Sequence, residues 1–130
     1  MPVGRSALLL GLALGVTACS QEGVQAPTER GVCWRMTEGA GPTPTFTAIS
    51  RNIRNLETCA ARLEARRMME GSSVDGAFQG HFIFVTEAQI LSAADLESPR
   101  FQVFEPAARL EIQKGIQALI DHEAAQEASS

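Results

Sequence analysis

The sequence predicts an α+β domain: a small, mainly antiparallel sheet of three or four strands packed on one long helix, with a C-terminal helix. Three observations carry this. Apolar residues alternate over Val32–Met36 and again within residues 77–86, the period of a strand. Between these stretches, Ile49, Ile53, Leu56, Ala60 and Leu63 recur in steps of four and three, the period of a helix. A second helical stripe, Ala108, Ile112, Ile116 and Leu119, follows Glu105-Pro106, and proline suits the first turn of a helix.

In chain order, Val32, Trp34 and Met36 lie on one face of the first strand, with Cys33 and Arg35 on the other. Residues 38–44, EGAGPTP, are turn material, and Thr45-Phe46-Thr47 is a short second strand completing a hairpin. The main helix spans roughly residues 50–70 and stops at Gly71. Residues 71–76, GSSVDG, read as a loop. Residues 77–86, AFQGHFIFVT, read as the best strand, with Phe78, Phe82 and Phe84 on one side and His81, Ile83 and Val85 on the other. Thr86-Glu87-Ala88-Gln89 has the pattern of a capping box, which predicts a short helix over 87–94. Arg100–Phe104 alternates as a further strand. The last helix follows, with Gly115 as its weak point. One domain over 31–121 accounts for these elements. A polar tether over 19–30 precedes it and a disordered tail over 122–130 follows it.

The N-terminus carries a different kind of information. After Arg5, Ala7–Val16 is an uncharged run of ten residues, too short for the roughly twenty that span a bilayer and suited to a secretory signal. Val16-Thr17-Ala18-Cys19 follows: an aliphatic residue, two small residues and a cysteine. This stretch resembles the lipobox of bacterial lipoproteins. The resemblance covers only the first twenty residues. It implies transfer of diacylglycerol to the Cys19 thiol, cleavage after Ala18, and acylation of the new amino group with a fatty acid such as palmitate. An ordinary signal peptidase would cut the same bond and leave Cys19 without lipid. Two or more acyl chains anchor a protein stably where one does not. Ser20 resembles an outer-membrane address under the sorting rule of enteric bacteria, so the expected location is the periplasmic face of the outer membrane.

Loss of residues 1–18 leaves 112 residues with ten basic and fifteen acidic side chains, a formal charge of −5. That balance argues against general nucleic-acid binding. Three cysteines is an odd count for an exported chain. With Cys19 acylated, Cys33 and Cys59 remain, and an exported pair is most simply a disulfide. Their spacing is not that of a redox or zinc pair.

Four features are candidates for function. The 50–70 segment carries Arg51, Arg54, Arg62, Arg66 and Arg67 against Glu57, Glu64 and Glu70. Arg51, Arg62 and Arg66 form a basic face able to meet an anionic surface; its simpler reading is a solvated helix with an Arg66–Glu70 pair. If Cys33 faces the helix, Trp34 faces away with Val32 and Met36. These three then need cover from the C-terminal helix, or they form a binding patch. His81, the one histidine within the expected domain, reads as a structural residue, and Asp75 beside Gly76 reads as turn chemistry. No nucleophile elbow, phosphate loop or metal-binding pattern is present, so neither a metal nor a cofactor is expected. The expected function is a membrane-anchored envelope lipoprotein with a small binding or scaffolding domain. Its partners would be membrane lipid and another envelope protein or a cell-wall polymer. The alternative is a small periplasmic enzyme, or an inhibitor of one, built around His81, Asp75 and an arginine in one cleft.

Overall fold

The Cys33 and Cys59 sulfurs are bonded, with the two Cα atoms 5.3 Å apart, and this bond fixes a helix to the centre of a sheet. The computed structural model describes residues 23–129; the expected signal peptide, Cys19 and the first part of the expected tether lie outside the described residues. The elements are β1 (Cys33–Thr37), β2 (Thr45–Ser50), α1 (Leu56–Glu70), β3 (Val74–Phe78), β4 (His81–Val85), β5 (Ile90–Ala93), β6 (Phe101–Gln102) and α2 (Pro106–Ala128). The six strands form one antiparallel sheet in the order β2-β1-β3-β4-β5-β6. The α+β class is as expected, with six strands where three or four were predicted and two helices of 15 and 23 residues.

α1 lies on one face of this sheet. Cys59, Ala60 and Leu63 are fully buried there, against Cys33, Val74, Phe78, Ile83, Val85 and Ile90. The approach is close because β3 carries a glycine at its midpoint. A Cβ on Gly76 would lie 2.3 Å from the Trp34 carbonyl oxygen and 2.6 Å from Leu63 Cδ1, so Leu63 occupies the space a side chain would need.

Several expected boundaries move, each for a local reason. α1 begins at Leu56 rather than near residue 50. Asn55 caps it, its Oδ1 accepting from the Thr58 amide at 2.9 Å. Ile49 belongs to β2, and the Ile53 amide donates to the Gly31 carbonyl in a loop. Their helical spacing with Leu56 arises because strand, loop and helix all feed one core. The single strand expected over 77–86 is a hairpin. Its two-residue turn is Gln79-Gly80, both at positive φ (43° and 83°), the conformation that matches strand twist. β3 therefore starts at Val74, inside the expected loop. The turn also puts Phe78 on the α1 side, opposite Phe82 and Phe84.

No helix forms over 87–94. Thr86 bonds as a capping threonine does, its Oγ1 accepting from the Gln89 amide at 3.1 Å, but its own amide donates to the Gln89 carbonyl and closes a turn. Ile90–Ala93 then pairs with β4. The strand expected over 100–104 is confined to Phe101–Gln102.

α2 extends to Ala128, through the segment expected to be a disordered tail. Its predicted stripe is not its buried face: Ala108 is exposed, Ile112 and Ile116 are half-buried, and Leu119 is 66% exposed. The one buried residue of α2 is Arg109. Its Nε donates to Glu64 Oε2 at 2.9 Å, and its guanidinium also bonds the Thr86 carbonyl oxygen. Arg67 Nε donates to the other Glu64 oxygen at 2.6 Å. A fully buried carboxylate thus holds α2, α1 and the β4–β5 turn together. Such a cluster is tolerated because each oxygen is paired; removal of one partner strands a buried charge, typically at about 3–5 kcal/mol.

Residues 23–27, expected as tether, are packed on the sheet face opposite α1. Ala26 is 6% exposed and belongs to a buried cluster with Ala77, Phe82, Phe84 and Ala93, against which Val24, Trp34, Met36 and Phe46 all pack. The Pro27 carbonyl accepts from the Gly80 amide at 2.8 Å. This strap, not the C-terminal helix, packs on the sheet face that carries Trp34 and Met36.

The disulfide closes a separation of 26 residues, for which chain entropy gives about 3.5 kcal/mol of stabilisation. Urea unfolding of Cys33→Ser and Cys59→Ser is expected to show that loss in each. The double mutant should be no worse than either single one. Additive losses would show that the cysteines contribute separately.

Candidate functional site

The sheet face away from α1 is where the structure gathers unusual groups. By strand alternation it carries Phe46 and Ala48 of β2, Trp34 and Met36 of β1, Asp75 and Ala77 of β3, Phe82 and Phe84 of β4, and Leu91 and Ala93 of β5. Phe82 packs between Phe46 and Phe84, with ring centroids 6.4 and 6.3 Å away. The Arg100 guanidinium sits 3.7 Å above the Phe84 ring, a cation–π contact. Trp34, Met36 and Phe46 are only half-buried, so this second core is incompletely closed.

Two segments lie over this face. The first is the strap. The second is the β5–β6 loop, residues 94–100, shaped by Asp95. Its Oδ1 accepts from the Glu97 amide at 2.9 Å and the Ser98 amide at 2.6 Å; a hydrogen bond from the Ser98 side chain, foremost, and these two amide bonds hold its carboxyl below the usual range. Between strap, loop and the β1–β2 turn is an open cleft of about 400 Å³, lined by Val24, Met36, Glu38, Asp75 and Leu96 among others. Asp75 stands on its floor. Burial raises the Asp75 carboxyl; nearby Arg100 opposes that shift and nearby Glu38 adds to it. Trp34 Nε1, on the same sheet face, is buried with no partner among the described residues. Chemically, the cleft offers apolar side chains from Val24, Met36 and Leu96 beside two carboxylates, Glu38 and Asp75.

The other predicted residues are scattered. His81 is at the exposed start of β4, on the α1 side, with Nδ1 3.4 Å from the Gln79 carbonyl oxygen. It does not share a face with Asp75. Arg51 lies outside the helix and pairs with Glu29 at 3.4 Å. Arg62 is exposed on α1 and Arg66 is half-buried. Arg67 is drawn into the Glu64 cluster. Glu70 is not the bidentate partner of Arg66: it holds the Arg35 guanidinium, with Nη2 at 2.7 Å from Oε2. That hydrogen bond, the main cause, holds the Glu70 carboxyl below its ordinary value. The basic face is therefore reduced to Arg62 and Arg66. Among the described residues no group of three or more His, Cys, Asp or Glu is placed to hold a metal ion, and no helix is long and apolar enough to cross a membrane.

Sequence reasoning missed Glu64, Arg109 and Arg100. Glu64 had a signal: it follows Leu63 and lies four residues after Ala60, on the inward side of α1. Arg109 and Arg100 had none, since their partners, Glu64 and Phe84, lie in other elements that only the fold brings beside them.

Comparison with protein-family models, with curated proteins and with solved structures finds no match to this chain.

Because burial raises Asp75 in the folded state, its ionised form weakens the fold at neutral pH. That cost is absent once both folded and unfolded chains are protonated. Asp75→Asn is expected to raise the melting temperature at about pH 7. The gain should shrink as pH falls through the raised value and be gone below the ordinary carboxylate value of 3.8. A gain that grows on acidification in calorimetric scans contradicts this placement of Asp75.

Proposed function

We propose that this chain is an acyl-anchored envelope lipoprotein, held at the periplasmic face of the outer membrane, whose folded domain is a binding or scaffolding module. The observation that carries this reading is the cysteine pairing. Of three cysteines, Cys33 and Cys59 are joined to each other. The cysteine outside that pair is Cys19, and it stands in the lipobox-like Val16-Thr17-Ala18-Cys19. A disulfide at the centre of the core also fits an oxidising compartment.

The binding half of the reading is supported by the half-buried Trp34, Met36 and Phe46 and by the cleft above Asp75. Its partner would be another envelope protein or a cell-wall polymer. The enzyme or inhibitor alternative draws on Asp75 and Arg100, which share one side of the sheet. It is weakened because His81 lies on the other.

Metabolic labelling with a fatty-acid analogue tests the anchor. The wild-type chain should take up label and fractionate with membranes, and Cys19→Ala should do neither. An unlabelled wild-type chain recovered in the soluble periplasmic fraction would defeat the proposal.

A further inference from the structure

We infer that the strap orients the acylated protein, so that the end of the sheet bearing the β1–β2 turn lies against the lipid headgroups. This rests on the lipoprotein reading and adds the face that meets the bilayer.

The argument begins with how little chain lies between lipid and fold. From Cys19 to Gly23 is four residues, which span at most about 14 Å fully extended. An anchor that short cannot let a folded domain tumble freely. The direction it imposes depends on where Gly23 leaves the fold. Gly23 lies beside Thr43 and Pro44 of the β1–β2 turn and beside Asp95–Pro99 of the β5–β6 loop. Four residues later, the Pro27 carbonyl is bonded to Gly80 in the β3–β4 turn, at the opposite end of the sheet. The strap thus runs along the strands, pinned at Val24, Ala26 and Pro27. Lipid can pull only on its Gly23 end.

The consequence opposes the attraction that the charges alone suggest. Residues beside the strap near that end include Glu38, Asp95 and Glu97. Arg62 and Arg66 are on α1, across the sheet from the strap. A surface led by charge would lay α1 along anionic lipid; the strap instead stands the strands upright, with the first turn of α1, Glu57 included, at the far end of the sheet.

Two single-cysteine labels separate these orientations, because wild type has no free thiol once Cys19 is acylated and Cys33 is bonded to Cys59. Gly41→Cys is in the β1–β2 turn, where an added Cβ meets nothing within 4 Å. Glu57→Cys is exposed in the first turn of α1, and its loss only strengthens any pull of α1 toward anionic lipid. Each acylated full chain is labelled with a fluorophore and reconstituted in phosphatidylethanolamine–phosphatidylglycerol vesicles containing a headgroup quencher. The label at position 41 should be quenched several-fold more strongly than the label at 57. A flexible Gly–Ser insert of about 24 residues after Gln21, with a reach of roughly 27 Å, should abolish the difference. Equal quenching, stronger quenching at 57, or a preference that survives the insert would overturn the inference. Failure of the chain to float with the vesicles is a separate outcome, and it removes the lipoprotein reading itself.

Discussion

The contact of α1 with the middle of the sheet governs everything else. Leu63 fills the space above Gly76, and Cys59 is bonded to Cys33 one strand away. Together they leave α1 one place to sit. They also decide which way β1 faces. Cys33 must point to the helix, so Trp34 and Met36 must point away, and the sheet acquires a second apolar face that α1 cannot cover.

That second face is closed by the part of the chain that looks least structural. Val24 and Ala26 are small and sit among Gly23, Gln25 and Pro27, but packed with Phe82, Phe84 and Ala93 they complete a core. The closure is partial, which is why Trp34, Met36 and Phe46 stay half-exposed and a cleft persists above Asp75. α2 has no part in it. Arg109, paired with buried Glu64, ties the base of α2 to the body, and the helix then runs on with Leu110 and Leu119 largely exposed. A domain this small leans on such ties, since it buries a limited fraction of its apolar surface.

The sequence made the class, the disulfide and the outward turn of Trp34 legible, because each follows from local periodicity or cysteine parity. It misled where one local pattern serves two structures. The Thr86–Gln89 hydrogen bond is shared by a helix cap and a tight turn, and only pairing of Ile90–Ala93 with β4 selects the turn. Ile49 and Ile53 have helical spacing with Leu56 because all three face one core, although they belong to different elements. Gln79-Gly80 was hidden inside an apolar run. The candidate cleft was not legible, since it depends on the strap and the 94–100 loop meeting over Asp75, a contact between segments more than fifty residues apart.

The account stands on the strap being part of the folded domain, and Trp34 reports this directly, as the only tryptophan in a chain without tyrosine. Its side chain is on the sheet face that the strap packs on, and its Nε1 is buried. Val24→Asp should lift the strap, because it places a carboxylate among Met36, Glu38 and Asp75. The measurement is Trp34 emission and its quenching by acrylamide in the mature protein. A red-shifted, more readily quenched emission in Val24→Asp, with the far-ultraviolet circular dichroism of wild type, is the result predicted. Emission identical to that of wild type would mean that residues 23–27 do not cover this face, and the account would fail with them.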